Sequence, residues 1–250
     1  MSSYSLYEYG TTNNPNTQPP PNYQTKPTKS PRTSRISPIV FCILQFIILI
    51  LTILGVCLDQ IRPNPFVQKY LIGCISFWSV KRKGENCITG KGYFASTSTV
   101  MSACKTRGGK VSVGGGMGIA AILLVFIGFV IGCGVMWTGV WSLRFLCVGA
   151  NVFAFIFLCV AWAMVVDIYL NSDEPNPAPT MSSIAAVVGQ VMEVDTSDIC
   201  LSMKAIMERE KTDEVPPEYQ VKIGYGSGFG LLVASWCLVL VNTIICLLPC

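Results

Sequence analysis

Four cysteines, Cys74, Cys87, Cys104 and Cys200, stand apart from the apolar stretches of the chain, and the first two bracket a tryptophan and a basic run, "CISFWSVKRKGENC". Side chains of these types can ligate a metal, close disulfides or present cations to an anion. The 250 residues include no histidine, which removes the commonest general base and the commonest metal ligand. Structural zinc favours cysteines about two to four residues apart, whereas the gaps here are 12, 16 and 95 residues. Disulfides are the better reading, because an even set of cysteines confined to two polar loops is what an oxidising face produces. Cys74 with Cys87 is the natural pair, which leaves Cys104 to reach Cys200. With no nucleophile elbow and no metal cluster, the sequence assigns no catalytic residue, metal or cofactor, and an enzyme is not expected. Lys81, Arg82 and Lys83 read first as a solvated hairpin tip, and functionally as a contact for anionic lipid or glycan. A net charge of +4 gives no ground for a nucleic-acid partner.

The elements that must position these residues follow from composition. The chain is 51% hydrophobic and only 13% charged, about half the charged share of a soluble domain. Four blocks lack charges, Pro38–Leu58, Val113–Val135, Phe145–Val166 and Gly228–Leu248. At ~1.5 Å per residue each is long enough to cross the ~30 Å hydrocarbon core as a helix. The fold class is therefore an all-α membrane protein, a four-helix bundle lying in the lipid bilayer with a small β-containing cap. Residues 1–37, rich in Ser, Thr, Asn, Pro and Gln, are expected to be a disordered cytoplasmic tail, followed by a single four-span domain, 38–250. The spans (38–58, 113–135, 145–166, 228–248) leave extracellular loops at 59–112 and 167–227. Crude counts of cations favour the opposite orientation, since the two long loops hold most of them. The first span usually dominates, however, and Lys26, Lys29, Arg32 and Arg35 lie close before it. Both termini are accordingly placed in the cytoplasm, with the plasma membrane as the expected location.

Around the opening stretch, "YLIGCISFWSV" and "CITGKGYFASTSTV" are rich in β-branched and aromatic residues and read as strands. Ile184, Val187, Val188 and Val191, and less cleanly Ile199, Met203, Ile206 and Glu210, keep helical spacing in the second loop. Within the spans, Gln45, Asn151 and Asn242 are the polar exceptions and are expected to turn inward to neighbouring helices. Gly114/Gly118, Gly128/Gly132 and the series Gly226, Gly230, Ala234 would let helices approach closely. The stretch "KIGYGSG" superficially resembles a potassium filter, but Lys222 stands where that motif has Thr. Asp59 and Asp167 sit at helix ends, where interfacial solvation explains them; a joint cation site is the sharper alternative. Eight cysteines in or beside spans read as small apolar residues, with Cys147 and Cys250 also candidates for palmitoylation. "PPNY", carried by Pro20, Pro21 and Tyr23, has the form read by cytoplasmic WW-domain proteins, although "PPEY" at Pro216–Tyr219 matches equally well in the second loop. Ser30-Pro31 and Ser37-Pro38 are candidate phosphorylation sites.

Four spans, a short hairpin between the second and third, and the first-loop motif Cys74, Ile75, Ser76, Phe77, Trp78, Lys81, Cys87 together resemble the amastins, surface proteins of trypanosomatid parasites. The entry to the last span, "YGSGFGLLVASWCLVLVN", is similar to theirs too, and the resemblance covers roughly Pro38 to Cys250. Two departures stand in the motif. Ser79 occupies a glycine position, and three extra residues lie between Trp78 and Cys87. Amastins are in turn similar to claudin-type tetraspans, whose first loop carries a tryptophan and a disulfide on a small sheet. The resemblance implies a tetraspan surface protein without catalytic activity, acting in adhesion or host–parasite contact with host or neighbouring-cell surface molecules. A small ion or solute channel or transporter is the alternative. Trp78 is expected to pack on the Cys74–Cys87 bridge. The chain has no Asn-x-Ser/Thr sequon, so sugar would be O-linked, on "ASTSTV".

Overall fold

Lipid offers a peptide no hydrogen-bond partner, so each apolar block closes its own backbone bonds. In the computed structural model these blocks form helices α1 (Ile36–Cys57), α3 (Arg107–Thr138), α4 (Ser142–Leu170) and α6 (Ser227–Leu247). All four are long and apolar enough to cross a membrane. The residues described are 36–65, 73–81, 86–88, 93–138, 142–175, 200–209 and 222–247, all within one compact unit. The tail with Pro20, Pro21 and Tyr23, the tip residues Arg82 and Lys83, the Ile184–Val191 pattern, Pro216–Tyr219 and Cys250 lie outside the described residues.

α1 packs on α3 and α6, and α4 packs on the same two, so the helices close into a ring ordered α1, α3, α4, α6. At the centre, the three polar exceptions meet. Gln45 Nε2 donates to Asn151 Oδ1 at 3.0 Å and to the Val125 carbonyl at 3.0 Å, while Asn242 Nδ2 donates to Gln45 Oε1 at 2.5 Å. One junction thereby touches every helix, and all three amide side chains are fully buried. Gly128 makes the room, since a Cβ there would stand 2.9 Å from Gln45 Nε2. A second rung, Thr52 to Ser235 at 3.0 Å, joins α1 to α6 nearer the cap. Gly118 receives Val56 and Gly132 receives Phe41 of α1, so small residues on α3 let α1 come close.

α3 and α4 run past their apolar blocks at both ends. α3 begins at Arg107 rather than at residue 113, because its first turn is not in lipid but in the cap, where its charges find partners. The cap assembles from the two long connections. β1 (Ile61–Pro63) pairs antiparallel with β4 (Ile223–Tyr225), and β2 (Ser79–Lys81) with β3 (Tyr93–Ser96). Ile75 bridges Ile61 on one side and Val80 on the other, so the two ribbons meet through one residue. The expected strand through "ASTSTV" stops early. Thr97–Met101 form a short helix, α2, with the Thr97 hydroxyl donating to the Ser76 carbonyl at 2.8 Å. Met203–Arg209 form α5 in the second connection.

Gln45 binds both asparagines, whereas each asparagine binds only Gln45 among these three. Gln45→Leu should therefore destabilise the purified protein more than Asn151→Leu or Asn242→Leu, by about 1–2 kcal/mol against about 0.6 for either asparagine. Unfolding titrations in mixed micelles would check the order.

Candidate functional site: a disulfide-bonded cap

The motif is a turn docked on a helix. Ser76 Oγ accepts the amides of Trp78 (3.3 Å) and Ser79 (3.0 Å), while its own hydroxyl reaches the Ser79 carbonyl at 2.9 Å. A side-chain hydroxyl closing its own turn is why a Ser or Thr suits this position. Phe77 and Trp78 project from the tip of that turn onto the start of α3. A Cβ on Gly114 would meet the Phe77 ring at 2.9 Å, and one on Gly115 the Trp78 ring at 3.1 Å. Phe77 is buried, but Trp78 stays 44% exposed. Its ring lies over Gly115 of α3, and the buried anchor of the motif is its neighbour Phe77. Gly114 likewise faces a cap ring as well as Met164 of α4. The run "VSVGGGMG" was the sequence signal for this seat.

Cys74 is paired with Cys87 (Cα–Cα 5.4 Å) and Cys104 with Cys200 (Cα–Cα 5.5 Å). The second bridge sits on a reciprocal clasp between α3 and α4. Asp173, just beyond α4, accepts the backbone amides of Thr106 (2.7 Å) and Arg107 (2.9 Å) at the start of α3. Arg107 reaches back to the carbonyls of Ile168 (3.4 Å), Asn171 (2.9 Å) and Leu201 (2.7 Å). An anion at a helix start and a cation at a helix end both complement the macrodipole. Arg107 is 1% exposed and was not anticipated, though a cation opening a helix is unfavourable unless its side chain leaves for another partner. Lys110 adds an ion pair to Asp167 at 2.5 Å.

A second junction ties α1 to α6. Asp59 takes a bidentate contact from Arg62 (2.9 Å and 2.9 Å) and the Ser227 hydroxyl at 2.9 Å, and its backbone carbonyl accepts Gly228 N–H at 2.8 Å. Gln60 Nε2 caps α1 by donating to the Gly55 carbonyl at 2.6 Å. Asp59 is 3% exposed, so interfacial solvation does not explain it. Nor does a site shared with Asp167: each carboxylate has its own cation, Arg62 and Lys110, and among the described residues no three Cys, Asp or Glu side chains are grouped to hold a metal. At Gly226 a Cβ would overlap the Asp59 carbonyl, and at Gly228 it would stand 2.6 Å from Gln60 Nε2, whereas Gly230 faces open space. The small-residue seam of α6 is therefore Gly226–Gly228, on the cap, and excludes Gly230. The "IGY" of the filter-like stretch is β4, its backbone paired with β1 and the Ile223 carbonyl accepting the Tyr169 hydroxyl at 2.9 Å.

This arrangement accounts for both halves of the motif pattern, the first-loop cysteines with their aromatic pair and the glycine-spaced entry to the last helix. Over residues 46–246 the chain matches the amastin surface glycoprotein family. It belongs to that family. No curated protein and no solved structure matches it. The amastin match takes in both disulfides, the Phe77–Trp78 turn and the Gly226–Gly228 entry, and with four helices able to span a bilayer the chain is a multi-pass membrane protein.

Two outcomes follow for the cap. Gly226→Ala should cost about 1–3 kcal/mol through overpacking, while Gly230→Ala should be neutral or gain up to about 1 kcal/mol as a helical Gly-to-Ala change; thermal unfolding in micelles would separate them. Burial pushes the carboxyls of Asp59 and Asp173 up, but hydrogen bonds outweigh it and hold both below the usual carboxylate range, from Arg62 and Ser227 in one case and from the Thr106 and Arg107 amides in the other. A carboxyl with a lowered folded-state pKa stabilises fully above its unfolded value, about 4, and that stability is lost as pH falls through the folded value. Exchange protection of the Thr106, Arg107 and Gly228 amides, corrected for intrinsic rates, should hold from pH 7 to 5 and decline below about pH 4, with mid-α3 amides unaffected.

Proposed function

We propose that this amastin-family protein is displayed on the plasma membrane with both termini in the cytoplasm, and that its cap makes contact with a host or neighbouring-cell surface. The observation carrying this reading is the cap itself. Two disulfides and two polar junctions support a platform on which Trp78 and Ile88 are exposed, 44% and 58%, with Lys81 at the end of β2 three residues after Trp78. An exposed aromatic near a cationic segment of the sequence is the composition of a contact surface. The fully buried amide junction in the bundle centre favours a packed support over a conduit. Ser98 and Thr99, the exposed hydroxyls of the "ASTSTV" stretch, are where O-linked sugar would sit.

An epitope inserted at residues 89–92 should stain intact cells, and one at the N-terminus only permeabilised cells; the reverse pattern would overturn the orientation. For the contact itself, the protein in nanodiscs should bind immobilised sulfated glycan at low salt. The combined change Lys81→Gln, Arg82→Gln, Lys83→Gln should weaken binding several-fold, as should raised salt. Equal binding by the variant would overturn the role of the tip.

A further inference from the structure

At the end of the bundle away from the cap, every helix contributes one thiol to a single cluster. Cys42 comes from α1, Cys133 from α3, Cys147 from α4 and Cys246 from α6. The Cys42 thiol meets Cys133, and the Cys147 thiol meets Cys246. Cys42 and Cys147 are buried with Phe41, and Cys133 and Cys246 are half-buried against them. Each contact thus joins one shielded thiol to one more accessible thiol on a neighbouring helix. Arg144, one turn before Cys147, lies within electrostatic reach of Cys246. The layer is tied to the amide junction, because Cys147 Sγ donates to the carbonyl of Gly128 at 3.4 Å. Cys42, Cys147 and Cys246 also stand three or four residues from Gln45, Asn151 and Asn242, one helical turn away on the same faces.

Small apolar filling explains a thiol singly. It does not explain four thiols, one per helix, meeting in cross-helix pairs with a guanidinium within electrostatic reach of an accessible member. That setting is where thiolate chemistry runs. The thiols meet in pairs, Cys42 with Cys133 and Cys147 with Cys246, so each pair is placed for the chemistry of two thiols.

We propose that Cys147 and Cys246 form a reversible dithiol–disulfide site that staples α4 to α6, with a low-molecular-weight disulfide such as oxidised glutathione as the oxidant. The Cys246 thiolate attacks one sulfur of that disulfide, breaking its S–S bond, releasing one thiolate and leaving a mixed disulfide. Cys147 then attacks Cys246 Sγ, passing its proton to the second small thiolate as that leaves. Two thiols lose two electrons and two protons, and the small disulfide is reduced to two thiols. Closure holds α4 and α6 together one turn from the amide junction; excess reduced thiol reopens it by the reverse steps.

The test uses the full chain in micelles, equilibrated in graded mixtures of oxidised and reduced glutathione, acid-quenched, alkylated and peptide-mapped by mass spectrometry. The expected result is a linked Cys147–Cys246 peptide that rises with the oxidised fraction and falls on return to the reduced one. Cys147→Ser should instead retain glutathione on Cys246. The proposal is overturned if Cys147 and Cys246 both stay fully alkylatable in the most oxidising mixture, or if Cys246 links only to another cysteine. The wild-type map decides this even where a variant fails to fold.

Discussion

A primary amide buried in hydrocarbon has no water to bond, and Gln45 is such an amide. It resolves the problem by donating to Asn151 and to a carbonyl of α3 and accepting from Asn242. The solution fixes depth and rotation for all four helices together, because the three side chains and the Val125 carbonyl meet only in one register. Apolar contacts alone would not do this, since a methyl group packs about as well against lipid as against a neighbouring helix. The other inter-helix contacts, Val56 at Gly118, Phe41 at Gly132 and Thr52 with Ser235, fall into place around that register.

At the cap end the same register brings helix ends side by side; three of these ends are completed by residues from another segment, and α1 by Gln60 just beyond it. α3 starts on Asp173, α4 ends on Arg107, α1 ends on Gln60, and α6 starts against the backbone of Asp59 and Gln60. Orphan amides and carbonyls at helix termini need partners when buried, and here those partners make the cap a continuation of the bundle. The Cys104–Cys200 bridge then holds the second connection on the α3–α4 clasp. The Cys74–Cys87 bridge closes the motif whose aromatic pair rests on Gly114 and Gly115. The surface that displays Trp78 and Ile88 is thus connected through packed side chains to the membrane-embedded core.

Much of this was legible. Hydropathy located the helices, the lone polar residues in the spans pointed inward, and Gly118, Gly128 and Gly132 marked close approach. The misreadings share a cause. Asp59 and the segment 97–101 were judged from their neighbours in sequence, but what decides each is a group distant along the chain: Ser227 and Gly228 for Asp59, and the Ser76 carbonyl for Thr97; Gly230 was read from its spacing but faces open space. Arg107 and Asp173 were passed over because the long polar loops blurred where α3 begins and α4 ends.

The sequence by itself determined that the chain crosses a membrane as four helices and carries a disulfide-rich cap. Lipid permits only internally bonded backbone, and that requirement is written in the length and polarity of each segment. Which faces meet was decided only by the tertiary structure. In water, an apolar stripe reveals the buried side of a helix. In lipid, both the buried side and the exposed side are apolar, so periodicity carries little information about facing. The meeting of four amides and carbonyls at one depth, and of four thiols at another, arises from rotations and depths that no single segment encodes.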